Sequence, residues 1–182
     1  MPQIIIGIAV VLIILWFIGA YNGLVKLRNM VREAFSTMDV FMKKRYDLIP
    51  NLVETVKGYA KHEQGTLEKV ISARNAAASA KTVESRIEGE SALTGTLKTL
   101  FAVAEAYPDL KANTNFMDLQ KQLQSVEGEI ANSRKYYNAV VRDYNIKTEA
   151  FPSVIVANLF GFRREPMFEI AGEERANVKV QF

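Results

Sequence analysis

Cysteine is absent from the 182 residues, and histidine occurs once, at His62. Without thiols the chain has no disulfide, no thiolate metal site and no cysteine nucleophile, and its redox compartment stays open. A single histidine excludes the usual zinc sites. It also excludes the ferritin-like di-metal pattern, which needs four carboxylates and two Glu-x-x-His pairs. No glutamate stands three residues before His62, and its setting, Lys61-His62-Glu63, reads as solvated surface. A serine nucleophile would have only His62 as a histidine base, and no Gly-x-Ser-x-Gly elbow occurs. No P-loop is present either: Gly89 and Gly95 are followed by no Gly-Lys-Ser/Thr. The excess of positive charge, +3, is too small to mark a nucleic-acid-binding face. Carboxylates do occur in pairs, at Glu88/Glu90 and Glu127/Glu129. Residues two apart do not share a helix face, so these read as ordinary solvated charge. No catalytic, cofactor-binding or metal-ligating residue is assigned, and the chain is expected not to be an enzyme.

What is present begins with Ile4–Ala20, a run with no charged or strongly polar residue. As a helix it spans roughly 26 Å, slightly less than the ~30 Å hydrocarbon core of a bilayer. Trp16 and Tyr21 stand near its end, where amphipathic rings favour the interface. A cleaved signal peptide would want a basic start and small residues before the cut, but Met1-Pro2-Gln3 has no charge and Ile18 spoils a site ending at Ala20. A buried core helix is rarely apolar all round, and an interfacial helix would need a polar face. The segment is therefore expected to be an uncleaved transmembrane anchor. Lys26, Arg28 and Arg32 follow it, and no basic side chain precedes it. The positive-inside rule then predicts a single-pass protein of the cell (inner) membrane, with its N-terminus outside and the remainder cytoplasmic. Gly19 and Gly23 match a GxxxG packing motif or simply loosen the helix exit.

From Leu24 the apolar residues follow a heptad. Leu24, Val31, Met38 and Leu52 form one series; Leu27, Ala34, Phe41 and Leu48 form its companion. This coiled-coil-like spacing predicts a long helix packed along its length, continuous with the anchor. Arg45 alone breaks the seam. Buried, it needs a carboxylate: Asp47, Glu54 or a glutamate from another helix. Pro50 predicts a kink or tight turn within Asp47–Asn51. Helical spacing then resumes through Leu52, Val56, Leu67, Val70 and Arg74, and the alanines of Ala73–Ala80 permit close helix contact. A third helix is predicted near Val83–Ala106, stopped by Tyr107-Pro108-Asp109, with Lys111–Asn115 as polar loop. A fourth covers Phe116–Glu149. Its asparagines beside Tyr137 and Tyr144, Asn138 and Asn145, share a face and are expected to bond across helices, or to line a polar groove.

The fold class is therefore all-α: a transmembrane helix, then an up-and-down antiparallel bundle of about four long helices with a short apolar tail. The divisions are residues 1–22, 23–149 and 150–182. In the tail, Phe151–Phe162 is strongly apolar but too short to span, with Pro152 placed to open a short helix and Gly161 to close it. Packing is the favoured reading of Phe160–Arg164, with lipid contact as the other. Val178–Phe182 reads as a short strand or a loose terminus.

The residues also carry a resemblance. The anchor is followed by Tyr21-Asn22-x-Leu24-Val25-x-Leu27-Arg28-Asn29. The block Arg45-Tyr46-Asp47-Leu48-Ile49-Pro50-Asn51-Leu52-Val53 comes next, then Val56-Lys57-Gly58-Tyr59 and Glu63. Asn113-x-Asn115-Phe116-x-x-Leu119-Gln120-x-x-Leu123, Glu127, Ile130 and Tyr137-Asn138 continue it, and Phe151-Pro152-Ser153 with Leu159-Phe160-Gly161-Phe162 completes it. This set resembles the bacterial LemA family over nearly the whole chain, least so at Ala76–Ala92. The resemblance implies a helical bundle behind one N-terminal span, with no established catalytic residue to carry over. The expected function is a non-enzymatic, membrane-anchored interaction or scaffold protein that self-associates as a homo-oligomer or binds other membrane proteins. The alternative is a membrane-remodelling or lipid-organising protein with a second lipid contact near Phe151–Arg164. The bilayer is the expected partner in both, with no nucleic acid and no cofactor.

Overall fold

The computed structural model describes residues 2–168; Val178–Phe182 lies outside the described residues. Among the described residues six helices follow one another: α1 (Pro2–Tyr59), α2 (Gln64–Ser79), α3 (Val83–Ala104), α4 (Pro108–Lys111), α5 (Thr114–Glu149) and α6 (Ser153–Leu159). No strand occurs among the described residues, so the all-α expectation holds. The described residues divide into two compact units, residues 2–37 with Ser133–Met167, and Met38–Asn132 with Phe168.

In the second unit, polar contacts fix the course of the helices. Tyr59 meets Asn113 and Glu63 meets Tyr107 at one end. Asp39 meets Arg86, which also reaches Ala80, at the other. Arg45, Arg74, Glu90 and Glu127 lie between them. The chain therefore runs up through the last part of α1, down α2, up α3 and down the first part of α5. Met38, Met42, Ile49, Leu52 and Val56 of α1 are fully buried here, with Val70 of α2 and Leu93 and Leu100 of α3. At the α2–α3 contact, a Cβ added to Gly89 would stand 2.7 Å from the Cα of Ala77. Only glycine permits that approach, which is the close contact expected of the alanine-rich stretch. Local signals set the helix starts: Thr82 and Ser85 form a reciprocal capping box for α3, and the Phe116 N–H donates to Asn113 Oδ1 at the head of α5.

Of the kink and the tight turn expected at Pro50, the turn is excluded. No turn forms at Asp47–Asn51; α1 runs through the proline to Tyr59, and the reversal comes at Ala60–Glu63. Proline has no N–H, so the carbonyl of Tyr46, one turn back, loses its helical donor. Arg74 Nε of α2 donates to that oxygen instead, at 3.2 Å. Pro50 itself is exposed while Ile49 and Leu52 are buried, so the pyrrolidine ring meets no packed neighbour. Two smaller boundaries also move. Pro108–Lys111 is a short helix, and α5 begins at Thr114, inside the segment read as loop.

In the first unit, Ile4–Leu15 is exposed along its length, and α1 is long and apolar enough to cross a membrane. The helix passes Gly19 and Gly23 unbroken: Gly19 faces open space, and a Cβ on Gly23 would meet Lys147 Cε at 3.9 Å. Below the apolar run the seam closes, with Leu24, Val31 and Ala34 of α1 buried as are Tyr137, Val140, Val141 and Tyr144 of α5. Phe35 and Tyr137 meet edge-on, 5.8 Å between centroids. After α5 the chain turns into α6. Gly161, at φ +69°, takes the left-handed position that L side chains avoid. Phe162 N–H then bonds Ala157 O at 2.9 Å and Gly161 N–H bonds Asn158 O at 3.4 Å, a Schellman closure. Gly161 thus closes the short helix as expected, and Pro152 occupies its N-cap.

Candidate functional site

Two arrangements concentrate polar chemistry or exposed apolar surface, one in each unit. The first is built on Arg45. The heptad carries this residue into the core of the second unit, where its side chain is 2% exposed. Its guanidinium pairs with Glu90 of α3 and, at 2.6 Å, with Glu127 of α5, and it donates to Thr94 Oγ1 at 3.3 Å. Glu90 also accepts from the Tyr46 hydroxyl. Of the three partners considered from sequence, the glutamate of another helix is the one found; Asp47 and Glu54 are exposed. The reading of the paired carboxylates as solvated charge is corrected at Glu90, which is 5% exposed. Two residues along a helix turn the side chain about 200°, so one member of a pair faces in when the other faces out. Glu88 is the outward one.

Burial raises the Tyr46 phenol well above its ordinary pKa, and the hydrogen bond and negative charge of Glu90 add to the effect. Tyr46 thus stays a neutral donor to a buried carboxylate. The Arg45 Nε is buried without a partner. A groove of about 710 Å³ opens beside the cluster, lined by Arg45, Thr94, Leu97, Phe101, Leu123 and Glu127 among others. A second, of about 900 Å³, lies between the end of α1 and α2, with Val53, Leu67 and Ile71 beneath Lys57, Lys61 and Glu68. Among the described residues no group of three metal-ligating side chains gathers. His62 is exposed in the turn after α1, as its sequence setting implies.

The second arrangement surrounds the end of the apolar run. Phe160 packs on Phe17 and Tyr21 of α1, with centroids 5.9 and 4.7 Å apart. Phe162 meets Tyr21 at 5.8 Å, and the Arg28 guanidinium lies over its ring at 4.9 Å. Ser153 Oγ, within reach of the Lys147 and Ala150 carbonyls at 2.7 and 2.9 Å, ties α6 to the end of α5. Val156, Ala157 and Phe162 are buried, whereas Phe151, Ile155, Leu159 and Phe160 are exposed. One side of the segment is therefore packed, as the favoured reading expects, and the other is exposed.

The chain after α6 is pinned by α5. Asn145 donates to Glu165 O and accepts from Glu165 N–H, both at 2.9 Å, and the Tyr137 hydroxyl donates to Pro166 O at 2.9 Å. The expectation for Asn145 is corrected here. Its amide pairs with non-helical backbone, whose peptide groups are free to bond, as those of a helical neighbour are not. Burial, together with the charge of Glu165, raises the pKa of the neighbouring Tyr144 phenol.

A family model described as the LemA family matches residues 34–182. The chain belongs to the LemA family. Among curated relatives, Protein LemA of Metamycoplasma hominis is 24% identical over 163 residues, covering 89% of this chain and 74% of that protein. Magnetosome proteins MamQ 2 and MamQ 1 of Paramagnetospirillum magneticum are each 25% identical over 188 residues, covering 89% of this chain and 69% of theirs. The LemA match takes in Arg45, Glu90 and Glu127 as well as the whole of α6; the apolar run Ile4–Ala20 lies before it.

Proposed function

We propose that this LemA-family chain is a non-enzymatic, membrane-anchored interaction module that self-associates in the bilayer. The observation that carries the reading is α1: one helix of 58 residues bears an unburied apolar segment and then the buried seam of both units. A soluble chain leaving Ile4–Leu15 exposed would aggregate, whereas lipid covers such a surface. The interior supports the non-enzymatic part. Arg45, Tyr46 and Glu90, the buried polar groups at the centre of the second unit, bond to one another, as in an element that sets helix register. Of the seam residues, Leu24, Val31, Ala34, Met38 and Leu52 are buried within the chain's own units and Leu27, Phe41 and Leu48 are half-buried, so self-association would use other surfaces, the exposed anchor first among them. The chain is placed in the cell membrane with its bundle cytoplasmic, because Lys26, Arg28 and Arg32 follow the anchor.

Two measurements test this. The full chain in nanodiscs at rising protein-to-lipid ratio should give cross-linked dimers or higher species, and affinity capture from solubilised membranes should recover partners. A strictly monomeric chain with no partner removes the reading. The chain lacks cysteine, so a cysteine placed at Gln3 should react with a membrane-impermeant maleimide on intact cells and one at Lys81 should not. The reverse pattern overturns the orientation. The second reading, lipid organisation, is favoured by the exposed apolar residues of α6.

A further inference from the structure

A short helix normally hides its apolar side and shows water its polar one. In α6 the outward side is apolar too, apart from Asn158. Ser153, Val156 and Ala157 turn inward and are buried. Ile155 and Leu159, four apart on α6, are 52% and 67% exposed; Phe151, in the turn before the helix, is 82% exposed, and Phe160, at its C-cap, 49%. The outward row is held in place on three sides: by the Ser153 hydroxyl, by the Schellman closure at Gly161, and by buried Phe162 under Arg28. It is a fixed apolar surface.

Its position identifies what covers it. Phe160 packs on Phe17 and Tyr21. Phe151 and Trp16 line one hollow of about 450 Å³. The row therefore lies at the level of Trp16–Tyr21, where the apolar run of α1 ends and its aromatic residues begin. That is the depth of the acyl–headgroup boundary for a spanning helix. Lys147 lines that hollow with Phe151, and Arg163 and Arg164 follow the row in the chain, Arg164 paired with Glu149 at 3.1 Å, so cations adjoin apolar side chains as they do in helices that lie in an interface. Length gives an independent reason. A run of roughly 26 Å falls short of a ~30 Å core, and apolar side chains added at its short end extend the lipid-facing belt without thinning the bilayer.

The geometry points to α6 as a second membrane element: the row Phe151–Ile155–Leu159 with Phe160 lies in the acyl–headgroup boundary of the leaflet the anchor enters, with its flanking cations at anionic headgroups. The occupant is the bilayer itself, and the inference rests on the reading of Ile4–Ala20 as a transmembrane anchor.

The test uses full-length chain in nanodiscs of mixed phosphatidylcholine and phosphatidylglycerol. Single cysteines at Ile155, Ile13 and Lys81 each carry an environment-sensitive fluorophore. Brominated acyl chains report lipid contact, and aqueous iodide reports water. Lipid quenching at Ile155 should fall within about two-fold of that at Ile13, with Lys81 open to iodide. Replacing phosphatidylglycerol by phosphatidylcholine should weaken quenching at Ile155 more than at Ile13. If Ile13 is quenched by lipid and Ile155 by iodide, the second contact is refuted while the anchor stands. If neither is quenched by lipid, the anchor reading falls first. Protection of Ile155 from both quenchers means that protein covers the row, which also overturns the inference. Ile155→Ser alters only an exposed position, so Ile155→Ser with the label moved to Leu159→Cys gives a second reading of depth.

Discussion

Arg45→Met probes the arrangement at the centre of the second unit. The side chain of Arg45 is 2% exposed and that of Glu90 6%, so the pair is shielded from water. Methionine matches the length of the stem but leaves the buried Glu90 without its paired guanidinium, with the Tyr46 hydroxyl and with Arg86, itself paired with Asp39, nearby. Breaking a buried ion pair from one side costs about 3–5 kcal/mol. The Glu127 contact adds little, because that side chain is 49% exposed and such pairs contribute under about 1 kcal/mol. In a chain of this size each kcal/mol moves the melting midpoint by about 2–4 °C, so Arg45→Met should lower it by about 6–20 °C. Glu127→Gln should lower it by at most about 4 °C. The double variant Arg45→Met/Glu90→Met replaces both charges by apolar side chains and should recover most of the loss. Far-UV circular dichroism melts of the full chain in mild detergent, with reversibility checked, give the comparison. The reasoning is refuted if Arg45→Met melts within about 2 °C of the parent, a change that one exposed ion pair would explain. It is equally refuted if the double variant melts below the single one.

Arg74→Ala leaves the Tyr46 carbonyl without its donor and should cost about 1–3 kcal/mol in urea unfolding. Adding Pro50→Ala, which restores the backbone N–H, should return most of that, and equal losses in the single and double variants would count against the substitution of one donor for the other. Gly89→Ala gains about 1 kcal/mol of helix propensity but sets a methyl 2.7 Å from the Ala77 backbone, an overpacking of about 1–3 kcal/mol that cannot relax by rotation. A lower urea midpoint is therefore expected, whereas Gly95→Ala, which meets nothing within 4 Å, should raise it. Tyr46 gives a pH dependence. Its folded pKa lies above the ordinary value of 10.0, so its stabilising contribution is complete below pH 10 and is lost as pH rises through the folded value. The stability gap between the parent and Tyr46→Phe should accordingly narrow above pH 10 in chemical denaturation series, and a constant gap would contradict the burial of that phenol.

Patterns written locally in the chain were legible. The apolar run, the heptad from Leu24 to Leu52, the inward position of Arg45 and the closing glycine at Gly161 all follow from spacing or from one residue's backbone preference. What was not legible depends on a partner distant in sequence. Pro50 reads as a break because its missing N–H is visible in the sequence, while the replacement donor is an arginine on the next helix. Glu90 reads as solvent-facing because a pair of carboxylates two apart gives no sign of which one turns inward. Asn145 reads as an interhelical bond because nothing before α6 announces that non-helical chain will return along α5. In the candidate sites the charged member on α1 was found, its acidic partners were foreseen only as a glutamate of another helix and not by position, and the outward row of α6 was seen only as apolar composition.

The exchange of donors at Tyr46 has a consequence for how the helix comes into being. Around Pro50 the hydrogen-bond ladder of α1 is incomplete until α2 has folded back and delivered Arg74. A segment whose secondary structure is completed by a later segment cannot fold as an autonomous unit, so the two should open together. Amide protons flanking Pro50 should then exchange with the same opening free energy as those of α2, although a helix of 58 residues would otherwise be expected to fray from its end. What ranks as one element by geometry is thus at least two by cooperativity, with the division falling inside an unbroken helix.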